Sequence, residues 1–437
     1  MTTEAPGKSS TAQMPPKVPL PTWVQGIGFL AARRGVLRAC RARYGSAFEL
    51  EVPVFGKLVV IADPAMAKQL FTSGAKTINV QPNLGRVLGS GSIFAIEGTD
   101  HRRRRKLLTP PLHGKRIRTY EQIVEDETRR EIASWPTGKR FASLKPMMRI
   151  TLNVILRAVF GADGDDFDDL RAQLPGLVEA GSRSATMPEL PRVLSGVDPN
   201  ARMRRRREKY QETILRVIGQ ARRDPNLADR DDILALMLQS SYDDGSVMTD
   251  EEVADELLTL LAAGHETTAT TLAWLFERIQ RHPAILEELS AEAQGDGDEY
   301  RHAVILETQR SRPVIDFAGR HVVADDLEVG PWRIPRGHNA MVSISLLHDD
   351  SEQFDDPERF DPSRFVGNTP PAAWLPFGGG TRRCIGAAFA TMEMDVVVRT
   401  VLREFRIEQT TAKGEGLHSR GVAFAPRFGG RIAVQRR

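Results

Sequence analysis

The chain has 437 residues, 41% hydrophobic and 27% charged, which places it among ordinary globular proteins with enough apolar content for a sizeable core. With 60 basic against 57 acidic residues the net charge is +3, too small by itself to imply a nucleic-acid partner. Its two cysteines exclude a disulfide framework and point to a reducing compartment, the cytoplasm.

The uncharged stretch from Val18 to Ala32 contains Pro19, Pro21, Gly26 and Gly28. It falls short of the roughly 20 apolar residues that cross a bilayer, and no basic region precedes it as in a secretory leader. A soluble protein is expected, without a transmembrane segment and with a loose first ~20 residues. Residues 1–39 form a flexible N-terminal segment with a first helix, and residues 40–437 a single domain. Cys40, in "GVLRACRARYG", reads as a buried, inert thiol of a short helix. "FELEVPVFGKLVVIA" (48–62) reads as a hairpin, and "DPAMAKQLF" after it as a helix start.

From about 118 to 310 the pattern is mostly helical, broken at 224–226, 243–246 and 282–283. Thr249 and Glu252 form a capping box, and no proline follows until after His282. That spacing predicts a helix of about 32 residues, roughly 48 Å long. Its middle, "LLTLLAAGHETTATTLAWLF", is apolar nearly all round, as in a helix buried on every side, so Glu266 is carried into the interior. After Ser311 come short strands and turns, then a Pro- and Asp-rich stretch (349–376), then a final helix from about Ile385 to Leu402.

The loop that feeds this last helix reads "FGGGTRRCIG". Cys384 lies at a helix N-terminus beside Arg382 and Arg383, and the dipole and the cations both lower a thiol's pKa. No CxxC or Cys/His cluster accompanies it, which argues against structural zinc. A solitary thiolate suits a haem iron, whose porphyrin supplies the other four ligands. Gly378 and Gly386 permit close backbone approach to a flat ring, Phe377 shields the sulfur, and Arg382 pairs with a cofactor carboxylate.

The spacing Phe377-x-x-Gly380-x-Arg382-x-Cys384-x-Gly386 resembles the haem-binding signature of the cytochrome P450 monooxygenases. The resemblance implies a mainly α fold with small β-sheets, with haem b between the long central helix and the cysteine-loop helix. "ETQR" matches the family's ExxR motif through Glu307 and Arg310, and Arg359 of "PERF" matches the third member of its buried structural network. "AAGHETT" resembles the oxygen-activation motif, with Ala263, Gly264, Glu266 and Thr267 as catalytic positions. Gly264 leaves space for a diatomic ligand, the Thr267 hydroxyl bonds back to the Ala263 carbonyl and loosens the helix, and Glu266 with Thr267 passes protons toward the oxygen. His101 and Arg105 of "DHRRRRKLL" match a pair that holds the haem propionates, as does Arg320; the other charges of that run face outward.

By the same resemblance, the basic run 101–118 offers a surface to an acidic ferredoxin- or flavodoxin-type electron donor, supplied with its reductase as separate proteins. A second run, "RMRRRREK" (202–209), opens a helix after a flexible segment (185–200) and reads first as a solvated face. The pocket is lined by 78–99, the lid near 175–200, Leu260 to Thr267, "PVIDF" and 422–426. These are mostly apolar, implying a lipophilic substrate; Asp316 reads first as a loop acid facing water and second as a polar contact of the pocket. The expected reaction inserts one atom of O2 into an apolar bond in a monomeric enzyme. The rivals are a peroxide-using or rearranging haem-thiolate enzyme, and a basic nucleic-acid-binding protein that leaves Cys384 unexplained.

Overall fold

The computed structural model describes residues 13–53, 55–80, 84–161, 165–185 and 201–437. Helices predominate, and the strands among those residues gather into one five-stranded sheet and four two-stranded pairs.

Two helices open the chain, α1 (Thr22–Ala31) and α2 (Arg33–Tyr44). Residues 1–12 of the expected loose start lie outside the described residues. From Gln13 onward the segment is bound to the body: Val18 is buried, and its N–H donates to the Glu49 carbonyl at 3.0 Å. Arg34, Arg38 and Arg41, spaced along one face of α2, ion-pair with Asp349 and Asp350. The division expected at residue 39 therefore falls inside a docked helix. Cys40 is buried on that helix, as expected.

β1 (Ala47–Val52) and β2 (Gly56–Ile61) form the expected hairpin, Ala47 opposite Ile61. β3 (Thr77–Asn79), β4 (Phe317–Val322) and β5 (Asn339–Ser343) complete the sheet in the order β1-β2-β5-β4-β3. β2 runs parallel to β5, and β4 pairs antiparallel with both β5 and β3. The run between β4 and β5 makes its own hairpin, Asp326–Val329 with Trp332–Pro335.

The central helix is Asp250–Ile279, 30 residues and thus about 45 Å. Its capping box is real: Thr249 N–H donates to Glu252 Oε2 at 2.9 Å and Glu252 N–H to Thr249 Oγ1 at 3.2 Å. It packs along the helix Leu144–Phe160 on one flank. The cysteine-loop helix, Ala387–Glu404, shares its core, where Leu272, Phe276, Val397 and Val401 are fully buried. Each such side chain contributes about 1.5–3 kcal/mol by burial. No helix among the described residues is long and apolar enough to cross a membrane.

Candidate functional site

The cysteine loop is folded on itself. Gly378 N–H donates to the Leu375 carbonyl at 3.0 Å and Cys384 N–H to the Phe377 carbonyl at 2.9 Å. A Cβ on Gly379 or Gly380 would lie 2.3 Å from Phe71, so these glycines let the loop seat against the helix Pro64–Phe71. Gly386 has a φ of −89° and no protein atom within 4 Å of where its Cβ would be; this is the glycine that leaves room for a ligand.

Cys384 is enclosed in the molecule, but its side chain is open to an internal cavity. Burial pushes its thiol above the usual value, while the Gly386 N–H, Arg105 and Arg383 draw it down without prevailing. The expected lowering is thus not met by the protein's own groups. The helix starts only at Ala387, three residues beyond the sulfur. Arg382 has protein partners of its own, donating to the Ile93 and Ile96 carbonyls at 2.8 and 2.7 Å and ion-pairing with Glu97.

Arg382 nevertheless lies in a cluster of cations lining the same cavity: His101, Arg105, Arg320 and Arg382. His101 and Arg105 occupy one face of the basic helix Gly98–Leu108. Arg320 on β4 donates to the Gly379 carbonyl at 3.2 Å, tying sheet to loop. Burial, then Arg382, Arg105 and Arg320, lower His101 to about 4; burial and Arg382 lower Arg320 to about 10. Glu97 is the single acid paired within this group among the described residues. The cluster is short of negative charge, so a flat, apolar group carrying carboxylates fits it, with Cys384 as the soft donor.

Across the cavity runs the "AAGHETT" stretch. Thr267 Oγ1 donates back to the Ala263 carbonyl at 2.7 Å, as the sequence implies, yet the helix stays continuous. Ala263 opens onto the cavity. Gly264 lines the cavity and also sits close to the neighbouring helix, where its Cβ would meet Ile155 Cγ1 at 3.3 Å. Glu266 is buried and its Oε1 accepts from Arg420 Nε at 3.0 Å. Burial raises its pKa, with Arg420 opposing. Arg420 lies between the short strands β6 (Leu417–Ser419) and β7 (Phe424–Pro426), and nothing in its sequence spacing announces this contact. Glu393, on the cysteine-loop helix, is likewise missed by sequence reading. It is buried against Thr268 with one oxygen unpartnered, and burial holds it far up the neutral side.

Glu307 and Arg310 are both buried and bidentate, at 2.6 and 2.7 Å. Arg359 does not join them through its side chain, which is exposed and lies 3.5 Å from Asp361. Only its carbonyl takes part, accepting from Arg310 at 3.1 Å. The second cation facing Glu307 is Arg364, at 3.8 Å. "PSRF" repeats the Pro-x-Arg-Phe pattern of "PERF" five residues on, and the chain turns inward only at the second.

The surface charges also differ from expectation. Arg104 is buried, bonded to Glu256 at 2.8 Å and Glu252 at 2.6 Å of the central helix. Arg103 and Lys106 pair with Asp244 and Asp243. In the second run Arg207 turns inward to the Val87 carbonyl at 2.7 Å and to Asp255, and Arg206 to the Gly176 carbonyl. Asp316 is buried in the cavity wall, as its second reading, a polar contact of the pocket, has it, and not the solvated acid of the first. Of the expected lid, residues 175–185 belong to the helix Asp165–Ala185, and 186–200 lie outside the described residues.

One cavity of about 540 Å³ joins the cysteine loop, the cation cluster and the central helix, and its walls are chiefly apolar. The cytochrome P450 family model matches residues 15–427. Cytochrome P450 138 of Mycobacterium tuberculosis is 53% identical over 427 residues, 97% of each chain. Cytochrome P450 135B1 of the same organism is 40% identical over 438 residues, covering 98% of this chain and 92% of that one. Among solved structures, a retinoic acid-bound cyanobacterial CYP120A1 superposes with a TM-score of 0.84 at 22% identity, covering 98% and 100% of the two chains. The heme domain of cytochrome P450DA gives 0.83 at 21% identity, covering 97% of each chain. A thiol facing a helix with an acid–threonine pair, and relatives that share the whole chain, agree: the protein belongs to the cytochrome P450 family, the haem-thiolate monooxygenases.

Proposed function

We propose that the enzyme holds haem b through Cys384 and oxygenates a lipophilic small molecule with electrons from separate redox proteins. The observation that carries this reading is the single cavity whose walls bring Cys384 and the His101, Arg105, Arg320 and Arg382 cluster to the Ala263–Thr267 face. When bound, the haem supplies oxygen activation under the electron donation of a thiolate ligand.

The chain's own residues do the rest. Phe377 braces the loop beside Cys384, its carbonyl accepting from the Cys384 N–H and its ring edge-on to Trp374 at 6.1 Å. The Gly386 N–H moderates the sulfur's basicity. His101 and the three arginines orient the haem by its carboxylates. Thr267, fixed by its bond to Ala263, presents its hydroxyl to the cavity, and Glu266 delivers protons to it. Arg420 sets the carboxyl's proton affinity. For the electron donor, Arg102, Arg116, Arg118 and Arg383 remain exposed, with no acid paired to any of them among the described residues. They fit an acidic ferredoxin- or flavodoxin-type surface, with an association rate that falls as salt rises.

The test is the visible spectrum of the reduced protein under carbon monoxide. A strongly red-shifted Soret band is expected, and a band at the position of histidine-ligated haem would refute the assignment. Thr267→Ala is expected to consume electrons without matching product; tight coupling in that variant would remove Thr267 from the proton path. Arg420→Gln is expected to move the pH profile of coupling upward, since Glu266 loses the cation that opposes burial. An unshifted profile would take Glu266 out of the relay.

A further inference from the structure

Arg33, the first residue of α2, lines the same cavity as Cys384. Its guanidinium sits among three aromatic rings, 4.1 Å from the centroid of Phe29, 4.8 Å from Phe424 and 5.8 Å from Phe317. Its Nε donates to the Phe29 carbonyl at 3.2 Å. Its two terminal nitrogens make no hydrogen bond, and no acid lies within ion-pair distance, among the described residues. The acid whose charge it feels is Asp316, which lines the same cavity, beyond ion-pair distance; Ser345 hydrogen-bonds its carboxyl and Oδ1 is left without a partner. Burial lowers the pKa of Arg33, and the aromatic faces compensate for only part of the lost hydration.

A desolvated guanidinium fork with free terminal nitrogens, held on aromatic faces inside an apolar cavity, matches a carboxylate in shape and charge. This cation is separate from the cluster assigned to the cofactor. Arg33 packs on Phe29, Phe317 and Phe424, whereas Arg320 packs on Phe71 and bonds the Gly379 carbonyl, and Arg382 bonds Ile93, Ile96 and Glu97. Phe317 and Arg320 stand three residues apart on β4, roughly 10 Å at about 3.3 Å per residue. Phe317 at the start of the strand packs under one cation, and Arg320 further along it is the other.

We infer that the substrate is a lipophilic acid whose carboxylate docks on Arg33 while its apolar remainder runs through the cavity toward Cys384. This rests on the haem-thiolate reading above and deepens it: the carboxylate fixes which carbon lies at the reacting end, so chain length sets regiochemistry. Neutral hydrocarbons of the same size lose the anchor and bind more weakly.

The experiment uses the haem-loaded protein and a series of ω-imidazolyl alkanoic acids of increasing chain length, each paired with its ω-imidazolyl alcohol. The imidazole end ligates the iron and reports binding as a Soret shift, and the tail probes the far wall. The acid of best-fitting length is expected to bind about 10-fold more tightly than its alcohol, with the preference fading at shorter lengths. Arg33→Gln is expected to abolish that preference. Arg33→Lys, which keeps the charge and the stem along Phe29, is expected to retain part of it, and that contrast separates lost charge from lost packing. Equal affinities of acid and alcohol at every length, or a preference that survives Arg33→Gln, would overturn the inference and leave the haem reading standing. Absence of any shift with plain imidazole would instead overturn the haem reading, and this inference with it.

Discussion

Exchange of Arg310 for alanine is expected to destabilise the fold by about 3–5 kcal/mol, a large part of the stability of an ordinary domain. All five donors of this side chain are used. Nε and one terminal nitrogen hold Glu307, the same terminal nitrogen reaches the Arg359 carbonyl, and the other reaches the carbonyls of His348 and Pro357 at 2.9 and 3.0 Å. Truncation leaves a fully buried carboxylate with only the distant Arg364 as a cation, and removes the side-chain donor of the His348 and Pro357 carbonyls. A denaturation midpoint within about 1 kcal/mol of wild type would show that the network is dispensable. The damage travels toward the site. Leu375 N–H donates to His348 Nε2 at 3.0 Å, and Leu375 begins the segment that turns into the cysteine loop.

That bond fixes the chemistry of His348. With Nε2 accepting, Nδ1 is the nitrogen that donates, to the Arg310 carbonyl at 3.0 Å, so the ring is neutral. Burial lowers its pKa from 6.5 to about 3. Between those values the unfolded chain binds a proton that the folded one does not, so this residue's contribution to stability falls as pH falls, by up to about 1.4 kcal/mol per unit. An imidazole resonance of His348 that titrates above pH 5 in the folded protein would contradict this.

The parts of the site legible in the sequence are those whose placement is written in local spacing. The run from Phe377 to Gly386, the capping box at Thr249 and the i, i+4 pair of His101 and Arg105 each depend on a single turn of chain, and each stands where the spacing put it. Contacts made between distant segments were not legible. Arg420 meets Glu266 across 154 positions of sequence, and Arg104 meets Glu256 across 152. Periodicity tells which face of a helix is turned inward but not what faces it. Two near-identical Pro-x-Arg-Phe runs gave no local reason to prefer Arg364 over Arg359; the fold around Glu307 decides. The same limit applies to the contact of Gly264 with Ile155 of another helix. It applies also to Arg33, which reads as one more charge in a basic helix until three aromatic rings from three segments close around it.

Cys384→Ala is expected to separate the ligand from the scaffold. The side chain opens onto the cavity instead of packing into the core, so its removal costs about 1 kcal/mol or less in stability, in contrast to Arg310→Ala. The cation cluster and the apolar walls are untouched by the change, so the variant is expected to retain an affinity for haem while losing the red-shifted carbon monoxide band and all oxygenation that needs a thiolate. The only other thiol, Cys40, is buried behind the sheet on α2 and does not line the cavity, so it cannot substitute. A wild-type band in Cys384→Ala would therefore mean that the iron's ligand is not a cysteine at all. A variant that is stably folded and haem-bound, but spectroscopically changed, locates the ligand at one sulfur. The loop from Leu375 to Gly386 then exists to hold that sulfur at the end of a turn, where Gly386 leaves space beside it and the Arg310 network keeps the loop from moving.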